Sequence, residues 1–206
     1  MTKGIAISGC GIICAIGNDV DSVADSLKRV RSGVGSVRHL NSGLDMPVGE
    51  IKLSDAELKC HLELGDGEEY SRTELVAAVA LREAMKDAGV SQRILSEKRI
   101  AFVSATTVGG MDLTDCAERY VQDMFLDEDK ARMFACHENS NSTGWIAYLC
   151  GLSCEQTTIS TACSSALNAI ILGARMLLTG EADMVFAGGT EALSLFHLNG
   201  FNSLHI

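Results

Sequence analysis

The feature that most constrains the fold of this chain is an alternation of strand-like and helix-like segments along its length. Residues 100–105 form a continuous apolar run, as expected of a strand buried on both faces, and residues 184–188 form a second run of this type. Helical periodicity extends over residues 164–178, between these two runs. The alternation predicts an α/β sheet with helices on both faces.

Weaker segments fill the intervals between these elements. Ser71 and Glu74 have the spacing of a capping box, which predicts a helix that starts there and ends at Gly89. The remaining predicted helices are residues 20–30, 113–125 and 142–149, and the remaining predicted strands are residues 5–8, 48–51 and 157–161.

Composition favours one folded domain, residues 1–206, over a disordered or nucleic-acid-binding chain. Hydrophobic residues make up 47% of the sequence, and charged residues are few. The formal net charge is −10 and no basic stripe is present, so we expect no nucleic-acid partner. Several of the eight cysteines lie inside apolar runs, which indicates reduced thiols rather than a disulfide scaffold.

Two cysteine pairs have a spacing that occurs in zinc sites. Cys10 and Cys14 form one pair, and Cys150 and Cys154 form the other. Neither has a second Cys/His pair at a usual distance, so we expect no metal. The Gly9-Cys10-Gly11 sequence resembles part of a dinucleotide fingerprint, but Cys14 stands where the third glycine belongs. A tight turn is favoured there, and we expect no cofactor.

The sequence favours a cytoplasmic protein. It contains no run of about 18 uninterrupted apolar residues, so we expect no membrane-spanning segment on grounds of length. Residues 4–17 are mostly apolar, but they contain four glycines and no cleavage pattern follows them. A strand and a loop are therefore favoured over a secretory signal.

The strongest candidate for chemistry is Cys163. The β-branched residues 157–161 stop at small residues, and a predicted helix begins at the cysteine. A helix dipole favours thiolate over thiol, and the unpaired backbone N–H of the cysteine could point at the oxyanion of an attacked thioester. The residues alone leave a second interpretation open, in which a small buried cysteine packs a strand against a helix.

Several motifs along the chain resemble those of the β-ketoacyl synthases. Residues 161–165, Thr-Ala-Cys-Ser-Ser, are similar to the active-site signature of that family. The position of the cysteine resembles the elongating, carrier-protein-dependent class. Other segments also match the family: Ile7-Ser8-Gly9-Cys10-Gly11, Gly17-Asn18, Val108-Gly109-Gly110, Gly180-Glu181-Ala182-Asp183 and Val185-Phe186-Ala187-Gly188-Gly189-Thr190-Glu191.

The resemblance implies a fold, a reaction and partners. The fold is thiolase-like, and this chain corresponds to one βαβαβαββ half with a mixed, mostly parallel sheet flanked by helices. Cys163 would take an acyl chain from an acyl carrier protein, and a malonyl-derived carbanion would attack the resulting thioester in a decarboxylative Claisen condensation. The resemblance also implies a homodimer and places Val108 and Phe201 in the wall of the acyl pocket.

The condensing groups of the family, two histidines and a lysine, belong to the C-terminal half. None of the five histidines here stands in the family's His-Gly-Thr-Gly context. We therefore expect the C-terminal half to be absent. Truncation is the favoured explanation, and a split protein is the alternative. We also expect the 206 residues alone to be inactive in condensation.

The carrier-docking segments depart from the family pattern. Elongating synthases present basic residues in the segments that match residues 59–72 and 127–132. Here Lys59, Arg72 and two further cations in the second segment, Lys130 and Arg132, stand against seven acidic residues. Like charges weaken docking to an acidic carrier protein. The alternative is a solvated acidic surface, with docking carried out by the other half.

Two other functions stay open. The first is a non-catalytic partner subunit that resembles ketosynthases, of the chain-length-factor type. Such subunits typically lack the nucleophile, so Cys163 favours the enzyme. The second is a thiolase-like or cysteine-hydrolase acyltransferase.

Overall fold

The computed structural model describes residues 4–40, 42–65, 69–114 and 135–205. Within these ranges, three parallel strands form a sheet in the order β2-β1-β3: β1 (Ile100–Ala105), β2 (Glu155–Ile159) and β3 (Met184–Gly189). All six residues of the central strand β1 are buried, as its apolar sequence predicts. The predictions at residues 100–105 and 184–188 are confirmed, and the strand predicted at residues 157–161 begins and ends two residues earlier.

Seven α-helices accompany this sheet in the described ranges. The helix predicted at residues 113–125 lies almost wholly outside them, and Met111–Thr114 is a single 3-10 turn. The helices are α1 (Val20–Lys28), α2 (Asp55–His61), α3 (Arg72–Asp87), α4 (Gln92–Glu97), α5 (Asn139–Leu149), α6 (Ser165–Thr179) and α7 (Leu195–Ser203).

The start and the end of α3 follow the predicted signals. The N–H of Ser71 donates to the Glu74 carboxylate at 2.8 Å, and the N–H of Glu74 donates to the Ser71 hydroxyl at 3.2 Å. The chain leaves the helix through Gly89, whose φ of +65° lies in the left-handed region that glycine adopts without strain. The capping box and the glycine terminator are therefore confirmed.

The sheet has a packed layer on each face, as predicted. On one face, α2, α3 and α5 bury Leu58, Leu75 and Ile146 together with Phe102 of β1. On the other face, α6 packs on the sheet and buries Ala169 and Met176 against Val103 and its neighbours. This arrangement confirms the α/β fold class.

The predicted strand at residues 5–8 is wrong: in the described part of the chain these residues are exposed and do not pair with the sheet, whereas Gly9 and Gly11, which follow them, pack on α3. A Cβ at Gly9 would lie 2.5 Å from a backbone atom of α3, and one at Gly11 would lie 1.9 Å away, so only glycine permits this approach. The N–H groups of the residues that follow these glycines donate to Asp87 at 2.9 Å and Glu83 at 2.8 Å. A cavity of about 410 Å³ lies between the segment and β3.

The strand predicted at residues 48–51 is reduced to an isolated antiparallel bridge. Gly35 and Val48 exchange backbone hydrogen bonds of 3.0 and 2.8 Å. The buried Glu50 carboxylate accepts the N–H groups of Arg38 and His39 at 2.7 and 3.1 Å. A side chain thus satisfies backbone donors that a second strand would otherwise pair.

Helix α6 leaves one apolar face uncovered. Together with the 3-10 turn before it, it forms the stretch Ala162–Thr179, long and apolar enough to cross a membrane by length and composition. The expectation that length excludes such a span is therefore wrong, although core helices of soluble proteins have the same composition. Leu167, Ile170, Ile171 and Leu178 are exposed on the face that points away from the sheet.

Candidate active site

The turn that carries Cys163 lies at the carboxyl edge of the parallel sheet. β2 ends at Ile159, and the 3-10 turn Ala162–Ser164 leads into α6. Cys163 lies in this 3-10 turn, two residues before α6, whereas the sequence predicted that the helix begins at the cysteine itself. The residue is exposed, which argues against the interpretation of Cys163 as a buried packing residue.

The turn is held in a conformation that few side chains tolerate. Ala162 has a φ of +51°, in the left-handed region, which costs a non-glycine residue about 1–3 kcal/mol. The buried hydroxyl of Ser165 accepts the N–H of Thr161 at 2.8 Å and donates to the carbonyl of Ala162 at 2.7 Å. One side chain therefore closes the turn on both sides of the strained residue.

A second set of hydrogen bonds ties the same turn to α6. The Ser164 hydroxyl donates to the carbonyl of Thr161 at 2.8 Å. The Asn168 amide donates to the Thr161 hydroxyl at 2.8 Å, from one turn further along the helix. The small polar residues around the cysteine thus have a structural function, which is to fix the backbone that presents the thiol.

Helix α6 places the positive end of its dipole beside this turn. Its fifteen residues run from Ser165 to Thr179, and the partial positive charge at the start of a helix favours negative charge nearby. The helix lies close on β3 because Gly173 lacks a Cβ, which would approach Val185 to 2.9 Å. An anionic sulfur or an oxyanion at Cys163 would be stabilised by this arrangement.

Three other described cysteines lie in environments that suppress ionisation of the thiol. Burial raises the pKa of the Cys136 thiol to about 12, and the nearby Asp112 and Glu74 carboxylates add to the effect. Burial also raises the pKa of Cys150 to about 11. The pKa of Cys154 is raised as well, mainly by burial. Cys10 and Cys60 are exposed, like Cys163.

The loop after β1 lies at the same edge of the sheet and contains Val108, which is buried. Gly109 and Gly110 follow it in a crowded place. A Cβ at Gly109 would lie 3.0 Å from the Asn139 side chain, and one at Gly110 would lie 3.0 Å from Ser71. The loop therefore packs between the starts of α3 and α5, with Val108 at its tip.

Phe201, the second residue expected in the acyl pocket, lies on α7. Its side chain is half exposed, and α7 packs against the 3-10 turn Met111–Thr114, which directly follows the Val108 loop. The two residues thus belong to neighbouring segments of the chain. Their assignment to the pocket stays a prediction.

The described histidines make local contacts. The Nδ1 atom of His197 lies 2.9 Å from the hydroxyl of Ser194, the residue that caps α7. The Nε2 atom of His137 lies 2.7 Å from the hydroxyl of Thr114. Neither contact tests the expectation that the condensing groups lie in the other half, which stays a prediction.

One cation expected on the carrier-docking surface is committed to internal contacts. Arg72 has a side chain only 10% exposed, and it forms an ion pair with Asp55. It also donates to the carbonyl oxygens of Ile51 and Leu53, at 2.9 and 2.7 Å. Arg72 therefore stabilises the loop before α2 rather than offering a free guanidinium. The second docking segment, residues 127–132, lies outside the described residues.

The two motifs that suggested a cofactor or a metal have other functions here. Gly9 and Gly11 allow the close approach to α3 described above. Cys150 is buried, and its thiol contacts the carbonyl of Ala78 at 3.7 Å. In the described part of the chain, no three His, Cys, Asp or Glu residues lie close enough to hold a metal ion.

Sequence reasoning missed two side chains that link the strand ends at this edge. Asn139 donates to the carbonyl of Thr107 and to the hydroxyl of Ser160, each at 3.2 Å. Glu191 accepts hydrogen bonds from the loop after β1, including the N–H of Thr107 at 2.7 Å. Glu191 was part of a recognised motif without an assigned contact, whereas no sequence signal pointed to Asn139.

The chain is similar to known β-ketoacyl synthases in sequence and in architecture. The family model described as "Beta-ketoacyl synthase, N-terminal domain" matches residues 2–205. The 3-oxoacyl-[acyl-carrier-protein] synthase 2 of Staphylococcus aureus (strain COL) is 24% identical over 190 residues, which cover 92% of this chain and 46% of that protein. The chain thus spans about half the length of the curated relatives it matches.

Solved structures share the fold. The ishigamide ketosynthase/chain length factor superposes with a TM-score of 0.84 at 21% identity, covering 96% of this chain and 50% of that chain. The ketosynthase ApeO in complex with its chain length factor ApeC, from Xenorhabdus doucetiae, gives a TM-score of 0.75 at 26% identity, covering 98% and 50%.

Proposed function

Because this chain belongs to the β-ketoacyl synthase family, of which it matches the N-terminal domain, we propose that it is the acyl-accepting half of an elongating 3-oxoacyl-ACP synthase. The observation that carries the proposal is the exposure of Cys163 in a fixed turn beside the start of α6. Residues 1–206 would then form one domain, which binds the acyl chain.

The first step is transfer of an acyl group to Cys163. The thiolate attacks the carbonyl carbon of an acyl thioester, and the negative charge moves to the carbonyl oxygen. Collapse of this intermediate breaks the bond to the carrier's sulfur, which leaves as a thiolate and takes up a proton. The start of α6 stabilises the negative charge on the attacking sulfur and on the oxyanion, as a preorganised dipole does.

The second step is condensation, which we assign to the whole protein rather than to these 206 residues. Loss of carbon dioxide from a malonyl thioester leaves a carbanion that attacks the acyl group on Cys163. The carbon–sulfur bond to the cysteine breaks, and a 3-ketoacyl thioester is released. The resemblance gives this step to histidines and a lysine of the second half.

A second half is also the proposed cover for the apolar face of α6. Leu167, Ile170 and Leu178 form an exposed apolar patch on one face of α6, whereas scattered single hydrophobic residues are common on any protein surface. Such a patch is typical of a surface that another protein segment covers. If the second half covers this face, the apolar side chains of α6 are buried by protein and need no membrane around them. We propose a cytoplasmic protein that assembles as a homodimer and takes its substrates from an acyl carrier protein.

A non-catalytic subunit is the main competing function, since two similar solved structures contain a chain length factor. Cys163 and the hydrogen bonds that fix its turn favour the enzyme. A thiolase-like acyltransferase shares the first step but uses no malonyl group, so the substrates distinguish it.

Product analysis with acyl- and malonyl-carrier substrates tests the proposed function. We expect the 206-residue chain to form an acyl-enzyme that is absent from Cys163→Ala, and to release no 3-ketoacyl product. A 3-ketoacyl product from this chain alone would contradict the assignment of the condensing groups to the second half. Failure of any acyl group to bind would favour the non-catalytic subunit.

A further inference from the structure

The side chain of Glu191 organises the loop that begins after β1. Its Oε1 atom accepts the hydroxyl of Thr106 at 2.9 Å and the N–H of Val108 at 3.4 Å. Its Oε2 atom accepts the N–H of Thr107 at 2.7 Å. Three consecutive residues of one loop thus donate to a single carboxylate that comes from the end of a different strand, β3.

The hydrogen bonds that begin at the Glu191 carboxylate extend further along the same loop. The Thr106 hydroxyl, which donates to Glu191, accepts the N–H of Gly109 at 3.0 Å. Gly109 has a φ of +59°, so the chain reverses there without a side chain. Val108 lies between Thr107, whose N–H donates to Glu191, and Gly109, whose N–H donates to the Thr106 hydroxyl. The carboxylate of Glu191 therefore sets the direction of the backbone at Val108.

The same loop is joined to the cysteine turn by Asn139. The amide of Asn139 donates both to the carbonyl of Thr107 and to the hydroxyl of Ser160, three residues before Cys163. The ends of β1, β2 and β3 meet at the carboxyl edge of the sheet, where open α/β sheets bind ligands. Glu191, the Val108 loop and the cysteine turn therefore form one connected group.

We infer that Glu191 is a positioning residue: it holds Val108 at a fixed place beside the acyl-accepting cysteine and so sets which acyl chains reach Cys163. This inference rests on the proposed acyl transfer. Glu191 itself takes no part in bond making. Its loss releases the Val108 loop, which changes the shape of the acyl site and leaves the backbone that presents the thiol in place.

Amide hydrogen exchange tests the contact without any substrate. The variants are Glu191→Gln, which keeps the size of the side chain, and Glu191→Ala. The control is Glu97→Gln, on α4 before β1 and hence at the opposite edge of the sheet. We expect exchange at Thr107 and Val108 to accelerate about three- to tenfold in both Glu191 variants, as for loss of one ordinary hydrogen bond, and to stay unchanged in the control.

Reaction of Cys163 with reagents of different size tests the function. Iodoacetamide is small and does not depend on Val108, so its rate should stay within about twofold of the parent chain, whereas the relative rates with butanoyl, octanoyl and dodecanoyl thioesters should change. Alkylation and all three acyl transfers falling by the same factor would overturn the inference, because that is the result of general destabilisation.

The two experiments separate failure of the inference from failure of the proposed function. If the parent chain accepts no acyl group, the proposed acyl transfer is wrong for this chain, and the chain-length inference is overturned with it, whatever amide exchange shows about the loop. If the parent chain is acylated and exchange at Thr107 and Val108 does not change, the inference is wrong and the proposed function stands. Should Glu191→Ala fail to fold, Glu191→Gln provides both measurements.

Discussion

The backbone N–H of Thr161 donates a hydrogen bond of 2.8 Å to the hydroxyl of Ser165, across the turn that carries Cys163. The same hydroxyl donates to the carbonyl of Ala162, which lies in the left-handed region. The position of the thiol therefore depends on a buried serine that follows it by two residues. Within the Thr-Ala-Cys-Ser-Ser segment, this serine therefore has a structural function.

Replacing this serine tests that dependence. Ser165→Ala leaves the N–H of Thr161 without its acceptor and removes one of the two hydrogen bonds to the carbonyl of Ala162, which keeps the backbone N–H of residue 165. We therefore expect a loss of about 1–3 kcal/mol in the free energy of unfolding. We also expect slower alkylation of Cys163, because Ala162 is free to leave its strained conformation. Urea unfolding and iodoacetamide kinetics measure the two effects.

Ser203→Ala is the matched control for this variant. The Ser203 hydroxyl also donates to a carbonyl three residues earlier, that of Gly200 at 2.8 Å, but it is exposed at the end of α7. Water replaces its hydrogen bond, so we expect less than about 0.5 kcal/mol. Equal losses in the two variants would contradict a special function for Ser165.

Two adjacent glycines at the end of β3 provide an internal comparison of packing. A Cβ at Gly189 would lie 2.8 Å from the Cβ of Ala166 on α6 and 3.2 Å from Ala105 on β1. We expect Gly189→Ala to cost about 1–3 kcal/mol of unfolding free energy, as overpacking does. At Gly188 no atom of the described residues lies within 4 Å of an added Cβ, so Gly188→Ala should be nearly neutral. Thermal unfolding of both variants decides the comparison.

The ion pair between Arg99 and Asp183 joins the starts of β1 and β3. Hydrogen bonds from the Arg99 side chain, and then from its backbone, hold the pKa of Asp183 well below its usual value. A depressed carboxyl pKa adds stability above the unfolded-state pKa, and this stability is lost as the pH falls through the folded-state value.

Asp183→Asn should therefore lower the unfolding temperature at neutral pH. The difference from the parent chain should shrink as the pH falls below about 4, where the carboxyl becomes protonated in the unfolded state. Asp25→Asn, which removes exposed ion pairs between α1 and the two arginines that follow it, Arg29 and Arg31, should have a smaller effect. A difference that grows toward acid pH would contradict the assigned sign.

The thiols should differ strongly in reactivity. With pKa values of about 12 and 11, Cys136 and Cys150 are ionised at pH 8 to only about one part in 10⁴ and 10³, and both are buried. We expect iodoacetamide to label Cys163 before either of them, and before the exposed Cys10 and Cys60, which lack a helix start beside them. Peptide mapping after brief labelling checks the order. Labelling elsewhere with Cys163 untouched would contradict the assignment.

Local signals predicted the elements that local physics decides. The capping box at Ser71, the buried strand β1 and the turn-plus-helix after β2 were predicted because each depends on neighbouring residues. The segment at residues 5–8 was predicted wrongly, because Gly9 and Gly11, which follow it, tie the chain to α3, more than sixty residues away in sequence. Such long-range packing leaves no periodicity to detect.

The residues of the candidate site also differ in whether adjacent sequence or only the folded structure reveals them. Cys163 became a candidate from its own neighbours, since the strand, small residues and helix that define the turn are contiguous, and the family resemblance of residues 161–165 favoured it over a packing residue. Asn139 and Glu191 reach the site from α5 and β3, and only the folded chain places them beside the Val108 loop. Side chains of this kind are found from contacts rather than from spacing.

Peptide mapping of the acyl-enzyme tests the central claim, that Cys163 accepts the acyl group, most directly. The chain is incubated with octanoyl thioester and digested, and the modified residue is located by mass spectrometry, with Cys163→Ala and Cys154→Ala in parallel. We predict a single acyl adduct on Cys163 in the parent chain and in Cys154→Ala, and no adduct in Cys163→Ala. An adduct that persists in Cys163→Ala, or one found on another cysteine while Cys163 stays unmodified, would contradict the assignment of Cys163 as the nucleophile.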